Sequence, residues 1–501
     1  LTDKQKIVSA AAWSVGAGLF GRAIGLACTL WVARFLSPDI VGEVAVATVI
    51  AFTGNWISAW GCGQYVILHG DEGKQAIFPA SMVYLVFGAI MLLVLWSSAT
   101  FLAGLVSAPR VAEYLPGALL GVAIRRIGAI PDKLLARELR FTRIAIATGF
   151  GDVTYAAVAI VLVSTTELGG HAIILAYIAQ STVITTLQIA GTGFRSWLAP
   201  VPITWLRLKA ILQFGAPITA EITLSEGGRY WDKPLMLRLL GAEAAGTYSL
   251  AFNLANLPAL YVGGHVGTVM MPAIVRADAR DRAQMIVRAL ALTAVVLFPM
   301  AFGLATIAST LVAAVLPSNW AQVAPLLSVL AAVSVLGAAS FMLASFLAAL
   351  GENKILMCIE FVSVLVLLGA MVFLSRWGVV MASVAVGLAL VVQFVLSVSA
   401  CRRHGLALRA LGKPLLPVML ACVVMIAGLL LLRGALWPYL ATQPLVLLLC
   451  EIGVGALLYL AMLAIFGKGL LQDVIRLLGG SGKTEYRKAT ALLQPRGSAD
   501  D

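Results

Sequence analysis

Charge is what this sequence has least of. Only 12% of its 501 residues are Asp, Glu, Lys or Arg, against about 25% in ordinary soluble domains. That shortage excludes a large soluble protein, whose polar surface this composition cannot supply. Basic runs interleaved with aromatics are missing too, so the net charge of +12 lacks the footprint of a nucleic-acid binder. The six cysteines (Cys28, Cys62, Cys358, Cys401, Cys422 and Cys450) stand singly, with no CxxC or Cys/His spacing. Neither a metal centre nor a disulfide framework is indicated; small buried hydrophobes account for them. No Ser/His/Asp or Cys/His arrangement points to hydrolysis: His69 and His171 read as loop residues and His265 as packing. Two motifs look like nucleotide sites and fail. "LLGGSGKTE" has Leu477 where a phosphate-binding loop needs its first glycine. "GAGLFG" (Gly16 to Gly21) lies inside an apolar span, where small residues let helices approach closely. Neither an enzyme nor a bound cofactor is expected.

What the sequence has is oil. It is 61% hydrophobic with a mean hydropathy of +0.98, and apolar runs recur that are long enough to cross a hydrocarbon core about 30 Å thick. An all-α polytopic membrane protein is expected, with spans centred near residues 22, 53, 88, 122, 154, 181, 221, 257, 296, 336, 364, 390, 422 and 455. With both termini on the cytoplasmic side, 25 of the 35 Lys and Arg fall on that side, five on the other and five inside spans. That bias sets the orientation. The first apolar stretch lacks the short core and cleavage site of a signal peptide, so it is expected to stay as a span.

An internal repeat organises the chain. "RFLSPDIVGEVAVA" from Arg34 aligns with "RLLGAEAAGTYSLA" from Arg238, sharing Arg34/Arg238, Leu36/Leu240, Gly42/Gly246 and Ala47/Ala251. Each stretch joins the first two spans of a six-span block, so the blocks enter the membrane from the same side and form a parallel repeat. The expected domains are an N-lobe (1–195), a C-lobe (196–405), two extra spans (406–467) and a cytoplasmic tail (468–501).

The scarce charges are not scattered. "SEGGRYWDK" (225–233) follows Glu221, so one span carries Glu221, Glu226, Arg229, Asp232 and Lys233. A charge at the bilayer centre costs about 2.5–3.5 kcal/mol on insertion scales, so these side chains must face protein or water. At 100° per residue Glu221, Ser225, Arg229 and Asp232 lie within about 80°, and Glu226 and Lys233 widen the stripe to about 140°. Gly227-Gly228 is expected to break or bend this helix. Arg22 in the first span, Arg125 and Arg126 in the fourth before Pro131, and Asp152 in the fifth add to the set, with Asn253 and Asn256 on one face of the eighth. Glu360 and Glu451 are expected to be buried. Two readings stand side by side: internal ion pairs holding helices in register, or the wall of a wet cavity for an anionic solute.

The loop motifs then carry a resemblance. "RFLSPDIVGEVAVA", "LLARELRFTRIAIA", "FGAPITAEITL…DKPLMLRLLGAEAAGTYSLAFNLANLP", "VMMPAIVR" and "LFPMAFGLATIASTLVAAVLPSNWAQVAPLLSVLA" resemble, in order and spacing, the Wzx-type polysaccharide (O-antigen) flippase family. This is the PST branch of the MOP exporter superfamily, and the similarity runs from about residue 8 to 465. It implies a MOP/MATE-like fold with a central cavity and alternating access. It also implies transfer of undecaprenyl-pyrophosphate-linked oligosaccharide units from the cytoplasmic to the periplasmic leaflet of a bacterial inner membrane, with polymerase and export machinery as partners. In that light Arg22, Arg125, Arg126, Arg229 and Lys233 are candidates for the pyrophosphate, because Arg offers bidentate phosphate geometry. Tyr230 and Trp231 are candidates for stacking on sugars, and Asn253 and Asn256 for polar contacts. Asp152, Glu221, Glu226 and Asp232 are candidates for H+ or Na+ coupling. The sequence departs from the family at Gly227-Gly228-Arg229-Tyr230-Trp231, where Asn and Ser are common, and at Pro317, where Gly is. A peptidoglycan-precursor (lipid II) flippase, a MATE-like small-molecule exporter and a non-transporting scaffold are the alternatives.

Overall fold

The computed structural model describes residues 21, 23–259, 279–406, 408–440, 442–467, 469–470 and 472. Arg22, His265 and the tail motif lie outside the described residues, as does all of "GAGLFG" except Gly21. Among the described residues every regular element is a helix. Hydrocarbon imposes this, since a helix pairs its own backbone N–H and C=O groups where no water can. Among the described residues ten helices are long and apolar enough to cross a membrane. The expected centres near 53, 88, 122, 154, 181, 221, 296, 336, 364, 390, 422 and 455 each fall within a described helix.

The chain divides into two compact units after Gly246. The first contains α1 (Ala23–Val32), α2 (Pro38–Ile57), α3 (Cys62–His69), α4 (Lys74–Ser97), α5 (Ala99–Leu105), α6 (Val111–Arg137), α7 (Phe141–Thr165), α8 (Gly170–Thr192), α9 (Trp205–Tyr230) and α10 (Asp232–Leu240). It ends in the first turn of α11 (Ala242–Ala255). Its packing follows the membrane rule that small residues allow backbones to approach, since lipid removes any hydrophobic drive between helices. The clearest case is the α2–α3 corner. Gly61 adopts φ +53 and a Cβ there would lie 2.9 Å from the Gly215 Cα, while a side chain on Gly215 would overlap the Trp60 carbonyl. Helix α9 crosses that corner because neither position carries a side chain.

The expected break at Gly227-Gly228 changes. Helix α9 continues through Gly227-Gly228, and the break comes later, at Trp231. The reason is Pro234, whose ring cannot coexist with a helical carbonyl four residues earlier, at Tyr230. Gly227 serves packing instead, its missing side chain making room for the Trp231 indole. The charged stripe is thereby divided: Glu221, Glu226 and Arg229 belong to α9, whereas Asp232 and Lys233 open α10. A single helical wheel does not carry across such a break. Pro131 lies inside α6, which runs on to Arg137.

The second unit contains α12 (Ala279–Val315), α13 (Val323–Ala349), α14 (Asn353–Leu374), α15 (Val379–Arg402), α16 (Leu408–Leu440) and α17 (Pro444–Phe466). One core gathers Ile286, Leu343, Phe346 and Cys401 from α12, α13 and α15. Another joins α12 to α16 and α17 through Val295, Cys422, Met425 and Tyr459. Glu451, wholly buried on α17, accepts a 2.7 Å hydrogen bond from Arg433 Nε of α16. Arg433 also donates to Ser309 Oγ and the Thr306 carbonyl of α12. Glu360 accepts from Gln393 at 2.9 Å.

Candidate functional site: a cationic cavity in the first unit

Neighbouring residues on a helix point about 100° apart, so the Arg125-Arg126 pair of α6 must serve two directions. Arg126 turns into the interior and is 3% exposed. Its Nε and Nη2 donate to the Tyr84 carbonyl, its Nη1 to Asn55 Oδ1 at 2.6 Å and Ser58 Oγ at 3.0 Å, and its Nη2 to the Ser58 carbonyl at 2.7 Å. The guanidinium lies 3.9 Å from the Tyr84 ring centroid. It passes over Gly88, where any side chain would overlap it. These contacts satisfy its donors with neutral groups, so its positive charge stays uncompensated by any carboxylate partner among the described residues.

Arg125 turns toward α8. Its Nη1 donates to Gln188 Oε1 at 2.9 Å, and Gln188 Nε2 donates to Asp132 Oδ1 at 2.7 Å. Asp132 Oδ2 lies 3.5 Å from Lys133 Nζ. Gln188 is fully buried and so bridges one cation and one carboxylate about two turns apart on α6. Gly128 makes this possible, since a Cβ there would press on Gln188 Oε1 at 2.7 Å. The stem of Lys133 lies over Gly63, 3.2 Å from where a Cβ would stand.

These side chains surround a cavity of about 170 Å³ lined by Phe52, Asn55, Tyr84, Val122, Arg125, Arg126, Ala129, Asp132, Lys133 and Tyr177. Its lining holds three cations and one carboxylate. From it runs a series of rings: Tyr177 to Phe52 at 5.8 Å, Phe52 to Trp56 at 6.2 Å, and Trp56 stacked on Tyr230 at 5.7 Å. Lys233 Nζ sits 5.0 Å from the Tyr230 centroid. Trp231 Nε1 donates to Thr53 Oγ1 at 3.1 Å, pinning the α9–α10 break to α2.

The structure thus places Arg125 and Arg126 in the cavity lining, and Tyr230 and Lys233 at the far end of the ring series that starts there. Asp232 and Lys233 are buried, whereas Glu221 and Arg229 are exposed and Glu226 half-buried. Asp152 accepts from Gln180 Nε2 at 2.9 Å and lies against Gly21. Asn253 and Asn256 belong to the second unit, where Asn256, just past the end of α11, donates to the Phe252 carbonyl of that helix. Arg22 is outside the described residues. Asp132, Lys133, Gln188, Asn55, Phe52 and Tyr177 were not among the sequence candidates. The signal for the first two was present: positions 125, 132 and 133 share a face of about 100°.

Comparison with known proteins follows the same direction. The sequence profile described as "Polysaccharide biosynthesis protein" matches residues 31–325. The chain is 29% identical over 310 residues to the succinoglycan biosynthesis transport protein ExoT of Rhizobium meliloti (strain 1021), covering 60% of each. It is 22% identical over 341 residues to the lipopolysaccharide biosynthesis protein WzxC of Escherichia coli (strain K12), covering 66% of this chain and 68% of that one. Among solved structures, the lipid II flippase MurJ in an inward closed conformation superposes with a TM-score of 0.75 at 14% identity. That match covers 92% of this chain and 100% of the other, and at such identity it carries the fold alone.

Proposed function

The chain belongs to the polysaccharide biosynthesis protein family, as a Wzx-type member of the MOP superfamily, and from that premise we propose that it flips a polyprenyl-pyrophosphate-linked oligosaccharide across a bacterial inner membrane. The observation that carries this reading is the excess of cations in the first-unit cavity, where Arg125, Arg126 and Lys133 outnumber Asp132. A pyrophosphate entering such a site exchanges its hydration for guanidinium and ammonium donors, and Arg adds bidentate geometry. Arg126 contributes field without a hydrogen bond to spare. Arg125 and Lys133 keep donors free for the ligand. Rings such as Trp56 and Tyr230 present flat faces on which the apolar faces of pyranoses stack. Undecaprenyl is the expected lipid, and a polymerase with export machinery the expected consumer of the product.

The rest of the transport cycle belongs to the same proposal. Two six-span lobes, 1–195 and 196–405, flanked by spans 13 and 14 and a cytoplasmic tail, alternate access with both termini cytoplasmic. An H+ or Na+ gradient working through Asp152, Glu221, Glu226 or Asp232, or consumption of product downstream, supplies direction. Arg22 and Arg229 extend the cationic path.

The test is glycan display in a flippase-deleted bacterium of matching pathway. The wild-type chain is expected to restore display, and Arg125→Gln/Lys133→Gln at equal membrane abundance is not. Equal rescue by both would remove the cavity from the transport path. Rescue of a strain lacking its peptidoglycan-precursor flippase, with no rescue of glycan display, would move the substrate to lipid II.

A further inference from the structure

Asp132 is out of place in a cavity built to receive an anion. It lines the cavity and is held in position from two sides, by Gln188 Nε2 at 2.7 Å and by Lys133 Nζ at 3.5 Å. Through Gln188 it is also tied to Arg125, whose Nη1 reaches Gln188 Oε1 at 2.9 Å. The one carboxylate of the lining therefore engages, directly or through an amide, the two cations that have donors left for a ligand. Arg126 is not part of this arrangement, because Asn55, Ser58 and Tyr84 occupy it.

Resting on the proposed substrate, we infer that Asp132 is a resident counter-anion: it holds Arg125 and Lys133 while the cavity is empty and yields them to a phosphate oxygen of the arriving ligand. An empty cavity with bare cations partly withdrawn from water would be costly, and the carboxylate lowers that cost. The same carboxylate repels a bound phosphate, and that repulsion limits how tightly the ligand is held. A transporter needs both effects, since a site must be favourable enough to enter and weak enough to leave. Gln188 makes the exchange concerted. Its amide has one acceptor and one donor end, so moving Asp132 away from Nε2 loosens the carbonyl that holds Arg125. The ligand class follows from charge: a diphosphate, with two or more negative charges, displaces Asp132, whereas a monocarboxylate sugar merely equals it.

The experiment uses the full-length protein in nanodiscs and reads tryptophan fluorescence, Trp56 being 6.2 Å from the cavity residue Phe52. The probes are inorganic pyrophosphate, polyprenyl pyrophosphate carrying no sugar, and glucuronate. Asp132→Asn keeps the oxygen that accepts from Gln188 and removes the charge. It is expected to tighten pyrophosphate about three- to tenfold, the size of one unit charge at about 4 Å in a water-filled, fully screened site. Glucuronate, with a single charge to be repelled, is expected to gain less, and glycan display is expected to fall because release slows. Binding of both the free and the polyprenyl-borne pyrophosphate that is unchanged or weaker in Asp132→Asn overturns the inference, as does tighter binding with faster display. Arg125→Gln/Lys133→Gln separates this failure from that of the site. If that double variant binds all three probes like wild type, the cavity is not the anion site. If it loses binding while Asp132→Asn gains none, the site stands and the counter-anion role falls. Affinity for the polyprenyl form but not for free pyrophosphate identifies the lipid-borne phosphate as the one that displaces Asp132.

Discussion

Gly42 and Gly246 meet backbone to backbone: a Cβ on Gly42 would stand 2.6 Å from the Gly246 nitrogen and 3.2 Å from its Cα. A side chain on Gly246 would overlap the Pro38 carbonyl oxygen at the start of α2. These are the two glycines that the internal repeat aligns, so the pairing visible in the sequence becomes a contact in the fold. Gly246→Val is expected to cost about 1–3 kcal/mol through overpacking, read as a lower melting temperature of the detergent-purified protein. Gly369→Val, on α14 with open space around it, should leave the melt unchanged. A normal melt for Gly246→Val would mean the first turns of α2 and α11 separate freely.

Arg125 and Arg126 are adjacent, and their roles are expected to separate in experiment. Arg126→Lys keeps the charge but not the fork that reaches Asn55, Ser58 and Tyr84 together, leaving buried acceptors unpaired at about 1–3 kcal/mol each. Its melting temperature should drop, and display should follow protein abundance. Arg125→Gln should melt like wild type and lose display at full abundance. If the two variants behave alike, the division of labour drawn from their partners is wrong.

Pro234 is the cause assigned to the break between α9 and α10. Pro234→Ala restores a backbone N–H and removes the clash with the Tyr230 carbonyl, so the two helices are expected to join more often. Spin labels placed at positions 222 and 239 in a cysteine-free background should show a longer distance population. Unpinning Trp231 from Thr53 should lower display. An unchanged distance distribution would assign the break to tertiary packing instead.

Arg433 ties α16 to both α17 and α12. Removing one partner of a buried pair is strongly destabilising, about 3–5 kcal/mol, while replacing both by apolar residues is much milder. Glu451→Leu should therefore melt well below wild type, and Arg433→Leu/Glu451→Leu should recover much of the loss. A double variant no better than the single would show that the Thr306 and Ser309 contacts, not the ion pair, hold the last two helices.

Much of the helical frame was legible in the sequence, since composition and run length alone demand membrane helices and each apolar run has its own period. The α6 charges show where that legibility stops. Arg125 and Arg126 stood out as intramembrane cations, but nothing in a linear pattern separates the one that faces a cavity from the one consumed by carbonyls. That depends on which neighbour lies 100° around the helix, and on Gly88 leaving room for a guanidinium. Gln188 gave no signal, because an uncharged amide in an apolar run has a chemical role only when a partner from another helix meets it.

The sequence by itself determined the class of protein, its family, and the presence of cations inside a chain that can barely tolerate them. Those are matters of composition and local order, and a bilayer reads them one helix at a time. Tertiary structure decided which charges share a space: it divided the α9–α10 stripe at Trp231, satisfied Arg126 with neutral groups and joined Asp132 to Arg125 through Gln188 of α8. Electrostatics and hydrogen bonds act over a few ångströms, and in this chain those ångströms are crossed between helices tens of residues apart.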